Sequence, residues 1–276
     1  MIGAAFGLAS ALIWGAGDFS GGLASRRSPV YSVVLVSEIL GLFLLTGLAL
    51  LLAEPIPPPM DLLWSGAAGI AGTLGLLAFY RALAGGRMGV VAPVTGVVSA
   101  IVPVVFGANL EGMPAPQQVL GFGLAVVAVW LVSRGGDGAG MRGRDLSFSV
   151  LAGVGFGVFF VVIDHAIDSG ILWPLVASRT ASVAMLLIAV AAMGRRAEMA
   201  PRQLPLAALA GLLDAGGNAF YALAAQLGRL DVAAVLSSLY PATTVLLARF
   251  VLKEPISRRQ WLGVSVALVA VVLIAS

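Results

Sequence analysis

Apolar residues run along this chain in blocks of about twenty, the length a helix needs to cross a bilayer. The blocks break at charges and at glycine or proline clusters. They predict ten helical spans, at residues 2–24, 30–53, 62–84, 88–109, 116–133, 146–168, 171–193, 204–226, 229–252 and 258–275. One connection is long, from Arg134 to Asp145, and it is rich in glycine and charge. It divides the chain into residues 1–133, a connector at 134–145, and residues 146–276, with five spans on either side. Pro55 and Pro57-Pro58-Pro59 stiffen the connection between spans 2 and 3.

The two halves repeat each other. Ala78-Phe79-Tyr80 returns as Ala219-Phe220-Tyr221, Val90-Val91-Ala92 as Val232-Ala233-Ala234, and Gly121 as Gly263, with an offset of 141 at the triplet and 142 beyond it. A near-half-length repeat of apolar segments indicates a duplicated membrane domain rather than a solenoid. Alternate connections carry Arg26, Arg27, Arg81, Arg87, Arg134, Arg142, Arg144, Arg195, Arg196, Arg202, Lys253, Arg258 and Arg259, while the opposite set carries only Arg229. By the positive-inside rule the basic loops are cytoplasmic, and both termini are expected outside. Five is odd, so the second half enters the membrane upside down. The expected fold is an all-α integral membrane protein of ten transmembrane helices, built as two inverted five-helix repeats.

Composition agrees. The chain is 60% hydrophobic and 11% charged, with a mean hydropathy of +1.03, against about 25% charged residues in soluble domains. Cysteine is absent and there is one histidine, which excludes a disulfide framework and leaves no clustered zinc ligands. No metal or cofactor is expected. The net charge of +3 does not indicate nucleic acid, because the arginines sit at span ends rather than on one basic face. No phosphate loop of the Gly-x-x-x-x-Gly-Lys-Ser/Thr kind is present, so ATP hydrolysis by this chain is excluded. The start is apolar from Ile2 with no basic run before it, and a cleaved signal peptide is not expected.

These features resemble the drug/metabolite transporter superfamily in its ten-helix form of two EamA-type repeats. The residues carrying the resemblance are Trp14-Gly15, the two Ala-Phe-Tyr triplets, and the run from Leu239-Tyr240-Pro241 to Lys253-Glu254-Pro255 with Gly263 beyond. The first half departs from this pattern: Ser99 stands where Pro241 aligns, and Glu111-Gly112 is one residue out of register with Glu254. The resemblance implies alternating access around a central cavity lined by both repeats, and the expected location is the cell (inner) membrane. It leaves open amino acids, amines, nucleotide sugars and other metabolites, and a monomer or a homodimer.

Ionisable groups inside spans are costly and mark either function or pairing. Glu38 lies deep in span 2 without a local partner, and Arg179 occupies nearly the same place in span 7. The two are candidates for a structural ion pair, and Glu38 equally for a substrate or proton site. Asp214 and Asn218 are four apart on span 8 with Tyr221 near the same face, a polar stripe turned to a cavity or to a neighbouring helix. Trp14 and Asp18 share a face of span 1; pairing of Asp18 with Arg26 or Arg27 is the alternative to a cavity role. Asp164, His165 and Asp168 sit at the end of span 6, where interfacial solvation competes with a proton relay. Arg249 snorkels at the end of span 9. Pro93, Pro103 and Pro241 are kinks or hinges.

The expected substrate site is therefore Trp14, Asp18, Glu38, Asp214, Asn218 and Tyr221, between the repeats at mid-depth. Burial disfavours a charged carboxylate, which makes Glu38 and Asp214 the candidates for proton coupling. Three acids against one deep arginine favour a small amine or zwitterion. The expected function is secondary transport of an amino acid or amine-like metabolite, with a channel or uncoupled facilitator as the alternative. Gly15-Ala16-Gly17-Asp18 matches the Gly-x-Gly-Asp string of intramembrane aspartyl proteases, but no Tyr-Asp partner exists for a proton-sharing pair.

Overall fold

The computed structural model describes residues 2–86, 88–111, 115–133, 143–167, 169–194, 196–227, 233, 236–254 and 257–275. Arg87, Arg134, Arg142, Asp168, Arg195, Arg229, Val232, Ala234 and Pro255 lie outside them. The helices are α1 (Ile2–Ser25), α2 (Val30–Leu51), α3 (Pro59–Gly85), α4 (Met88–Glu111), α5 (Pro116–Ser133), α6 (Gly143–Asp164), α7 (Leu172–Ala192), α8 (Leu204–Leu227), α9 (Tyr240–Val251) and α10 (Arg258–Ala275), with a 3-10 turn at Pro201–Gln203. Five of them, α2, α3, α6, α7 and α8, are long and apolar enough to cross a membrane on length and composition alone. Among the described residues there is no strand.

Their boundaries follow from local chemistry. Pro58 and Pro59 open α3, where a missing N–H costs nothing. Ala53 and Gly194 follow the ends of α2 and α7, and both have left-handed φ, 49° and 60°. The second position holds glycine, which adopts that conformation freely; the first holds alanine at some cost. The ninth span differs from its expectation. Leu236 and Ser237 are helical, and a turn at Ser238-Leu239 separates them from α9, which begins at Tyr240, so the span is interrupted. Pro241 lies in the first turn of α9, a position its ring tolerates. Its counterpart Ser99 keeps an N–H, and α4 runs through that position.

Packing repeats when each helix is exchanged for the one five places on. α1 packs on α8 as α6 packs on α3, α2 on α8 as α7 on α3, and α1 on α9 as α6 on α4. The pairs α2–α7, α4–α9 and α5–α10 map onto themselves. Small residues make the crossings possible. A Cβ at Gly69 would overlap the Ser178 carbonyl, and one at Gly211 would overlap the Ser37 carbonyl. Gly217 admits the ring of Trp14, and Gly75 admits Phe156, each member displaced by 142. Large apolar side chains, among them Phe43, Leu51, Ile188 and Phe250, point outward, as lipid contact requires.

Two carboxylates join the halves at opposite ends of α2. Glu54 accepts from the backbone N–H groups of Ile171 (2.9 Å), Leu172 (2.8 Å) and Trp173 (2.9 Å), and its carbonyl accepts from Trp173 Nε1 at 2.8 Å. It supplies the acceptors that the start of α7 lacks. Glu254 takes Arg26 Nη2 at 2.9 Å and Gly89 N at 3.2 Å, at the start of α4. Glu54→Ala is expected to lower stability by about 0.5–2 kcal/mol, seen as a lower melting temperature in detergent; an unchanged value would show that this cap contributes nothing.

Candidate functional site

The crossing of α2, α7 and α8 brings three charges together. Arg179 donates from Nη1 to Glu38 Oε1 at 2.8 Å and from Nη2 to Asp214 Oδ2. Asn218 Nδ2 donates to the Asp214 carbonyl at 2.8 Å and to its Oδ2 at 3.3 Å. All of this is built on close helix approach. A Cβ at Gly41, one turn after Glu38, would stand 3.3 Å from Ala215 Cβ and from the Gly211 carbonyl, so that glycine eases the approach of α2 to α8. The planar fork of arginine suits two carboxylates reached from different helices.

The triad borders a partly open cavity. Trp14, Asp18, Glu38, Asp214 and Asn218, five of the six expected site residues, line it together with Arg179. Tyr221 does not. It is 1% exposed and forms an aromatic layer behind Trp14, at 5.8 Å between ring centroids, and against Phe160 at 5.0 Å. Asp18 does not pair with Arg26, which is held by Glu254 instead. The remaining lining was not anticipated as site residues: Thr73, Ser178 and Ser182 are polar, while Leu76, Phe156, Phe159, Phe160, Leu175 and Tyr240 give the cavity an apolar wall. Ser182 bridges α3 and α7, donating to Gly69 O at 3.0 Å and lying 2.7 Å from Thr73 Oγ1, which donates to it. Ser178 and Ser182 flank Arg179 at helical spacing, a signal present in the sequence.

His165 lies away from this cavity, with Nδ1 2.9 Å from the Val161 carbonyl and its ring beside Trp64. Among the described residues no His, Asp and Glu cluster is arranged to hold a metal ion. Asp18 and Asp214 border the same cavity, but Asp214 is engaged by Arg179, which opposes the proton-sharing dyad that proteolysis requires.

An all-helical, outwardly apolar bundle with a charged cavity between two like halves defines a multi-pass membrane protein of the transporter class. The profile of the EamA-like transporter family matches residues 1–134 and again residues 145–276, and the chain belongs to that family. A solved crystal structure, described in print only as that of a protein, superposes with a TM-score of 0.66 at 17% sequence identity, covering 98% of this chain and 95% of its own. At that identity the likeness concerns the fold alone. No curated protein matches the chain.

Proposed function

We infer that this protein is a secondary transporter that moves a small amine-bearing metabolite across the cell's inner membrane by alternating access. The observation that carries the reading is the cavity lined by α1, α2 and α3 from one half and α6, α7, α8 and α9 from the other, holding three carboxylates against one arginine. Buried charge on that scale is expensive for mere helix adhesion. The symmetric packing supports two inverted repeats, with the cavity at their interface near mid-depth. Trp14, Asp18, Glu38, Asp214 and Asn218 contact the substrate, and Tyr221 supports Trp14 from behind. Glu38 and Asp214 carry the coupling proton: protonating either one weakens its bond to Arg179 and lets the helices it joins move apart.

The test is uptake into proteoliposomes of labelled amino acids and quaternary amines, with and without a pH gradient. For the substrate moved fastest by the parent, Glu38→Gln and Asp214→Asn are each expected to lower uptake about tenfold or more, equivalent to about 1.4 kcal/mol, and to abolish the response to the gradient. Parent-like rate and pH response in both variants would remove these carboxylates from the mechanism.

The excess of basic residues in alternate loops supports an orientation with both termini outside. A carboxy-terminal green fluorescent protein fusion is expected to stay dark in bacterial cells and an alkaline phosphatase fusion to be active. A bright fluorescent fusion would reverse the orientation.

A further inference from the structure

The charges of the cavity are unequally engaged, and within the transporter reading this bears on what the substrate is. Arg179 spends Nη1 on Glu38 and Nη2 on Asp214, so both arms that would grip a carboxylate are occupied. Asp18 is different. It is 6% exposed, lines the cavity, and has neither a hydrogen-bond nor a cationic partner among the described residues. Among the described residues, Asp214, Tyr80 and Tyr240 interact with it electrostatically, and none of these three is a cation. A buried lone carboxylate is costly until something neutralises it.

Its surroundings select what that can be. Trp14 lies one turn earlier on the same face of α1, and Leu76, Phe156, Phe159, Phe160 and Leu175 complete an apolar wall. Aromatic faces hold cations and stack on rings. A zwitterion would bring a further carboxylate into a cavity whose lining arginine is already doubly engaged, and it would have to break one of those bonds to be accommodated. A monocation only fills the missing charge.

We propose that Asp18 is the subsite for the cationic nitrogen of the substrate, and that the substrate is a monocationic amine with an apolar or aromatic body and no carboxylate. Asp18 forms the ion pair, the aromatic wall holds the body, and the Glu38–Arg179–Asp214 triad stays closed while the substrate binds.

Calorimetric titration of the purified full-length protein in detergent tests this with three probes that share a ring: phenethylamine, L-phenylalanine and 2-phenylethanol. Phenethylamine is expected to bind about tenfold or more tightly than either of the others. Asp18→Asn is expected to lose that preference while melting at or above the parent temperature, since it removes an unpaired buried charge. Asp18→Glu, which keeps the charge, is expected to retain the preference even if Asp18→Asn does not fold. Phenylalanine binding as tightly as phenethylamine, a preference that survives in Asp18→Asn, or no binding of phenethylamine at all would overturn the proposal. The transporter reading fails separately: a protein that moves phenylalanine but ignores phenethylamine contradicts only the subsite, and one that binds phenethylamine but moves nothing across a bilayer contradicts only the transport.

Discussion

Arg179→Ala is expected to destabilise the protein by about 3–5 kcal/mol, because removing one partner of a buried ion pair leaves uncompensated charge behind. Here two carboxylates are left, Glu38 at 4% and Asp214 at 17% side-chain exposure, so the upper end of that range is the expectation. The charge, and not the packing, is responsible, which a compensated variant separates. Arg179→Met combined with Glu38→Gln and Asp214→Asn removes all three charges at about the same side-chain volume, at the loss of the two hydrogen bonds that the guanidinium donates. It is expected to recover most of the lost stability and none of the transport. Thermal unfolding in a mild detergent reads both variants. An Arg179→Ala protein as stable as the parent would show that the triad contributes no structural energy.

Gly69→Ala and Gly211→Ala are expected to be the next most damaging changes, each by about 1–3 kcal/mol or more from overpacking. In each case the new methyl meets backbone, Ser178 or Ser37, which cannot rotate out of the way. The two sites are related by the internal repeat, so their effects should be similar in size. Gly47→Ala is the control, since nothing lies within 4 Å of a Cβ there, and replacing a helical glycine should leave stability equal or higher. Melting temperatures of the three variants decide the matter: a Gly69→Ala protein that melts with the Gly47→Ala control would mean that α3 and α7 do not pack this closely.

Much of this architecture was legible in the apolar blocks because a membrane helix must satisfy its own backbone and therefore announces itself by length. The Glu38–Arg179 pairing was legible from the offset of the repeat, which sets an acid and a base at equivalent places on α2 and α7. The second bond of Arg179, to Asp214, was not. It depends on how closely α2 and α8 approach, which Gly41 and Gly211 determine and which no single-helix pattern records. Tyr221 was misplaced within the site for a related reason. It sits seven residues beyond Asp214 and near its face, but the ring is taken up by Trp14 and Phe160 from α1 and α6 before it reaches the cavity. The break inside the ninth span was not legible because apolar content continues across Ser238-Leu239, and only the backbone restriction at Pro241 hints at it. The aromatic wall was invisible as a site, since Phe156, Phe159 and Phe160 read in sequence as ordinary lipid-facing or packing residues.

Accelerated exchange tests the central claim, a carrier that exposes one site alternately to each side, more directly than any variant does. Proteoliposomes are preloaded with unlabelled phenyltrimethylammonium, which is permanently charged and so cannot leak as a free base, and diluted into a trace of the labelled compound. The account predicts a transient overshoot of label above its equilibrium level, abolished in Asp18→Asn and absent from protein-free liposomes. Uptake that rises monotonically to equilibrium, at a rate indifferent to what lies inside, would instead describe a channel and contradict alternating access.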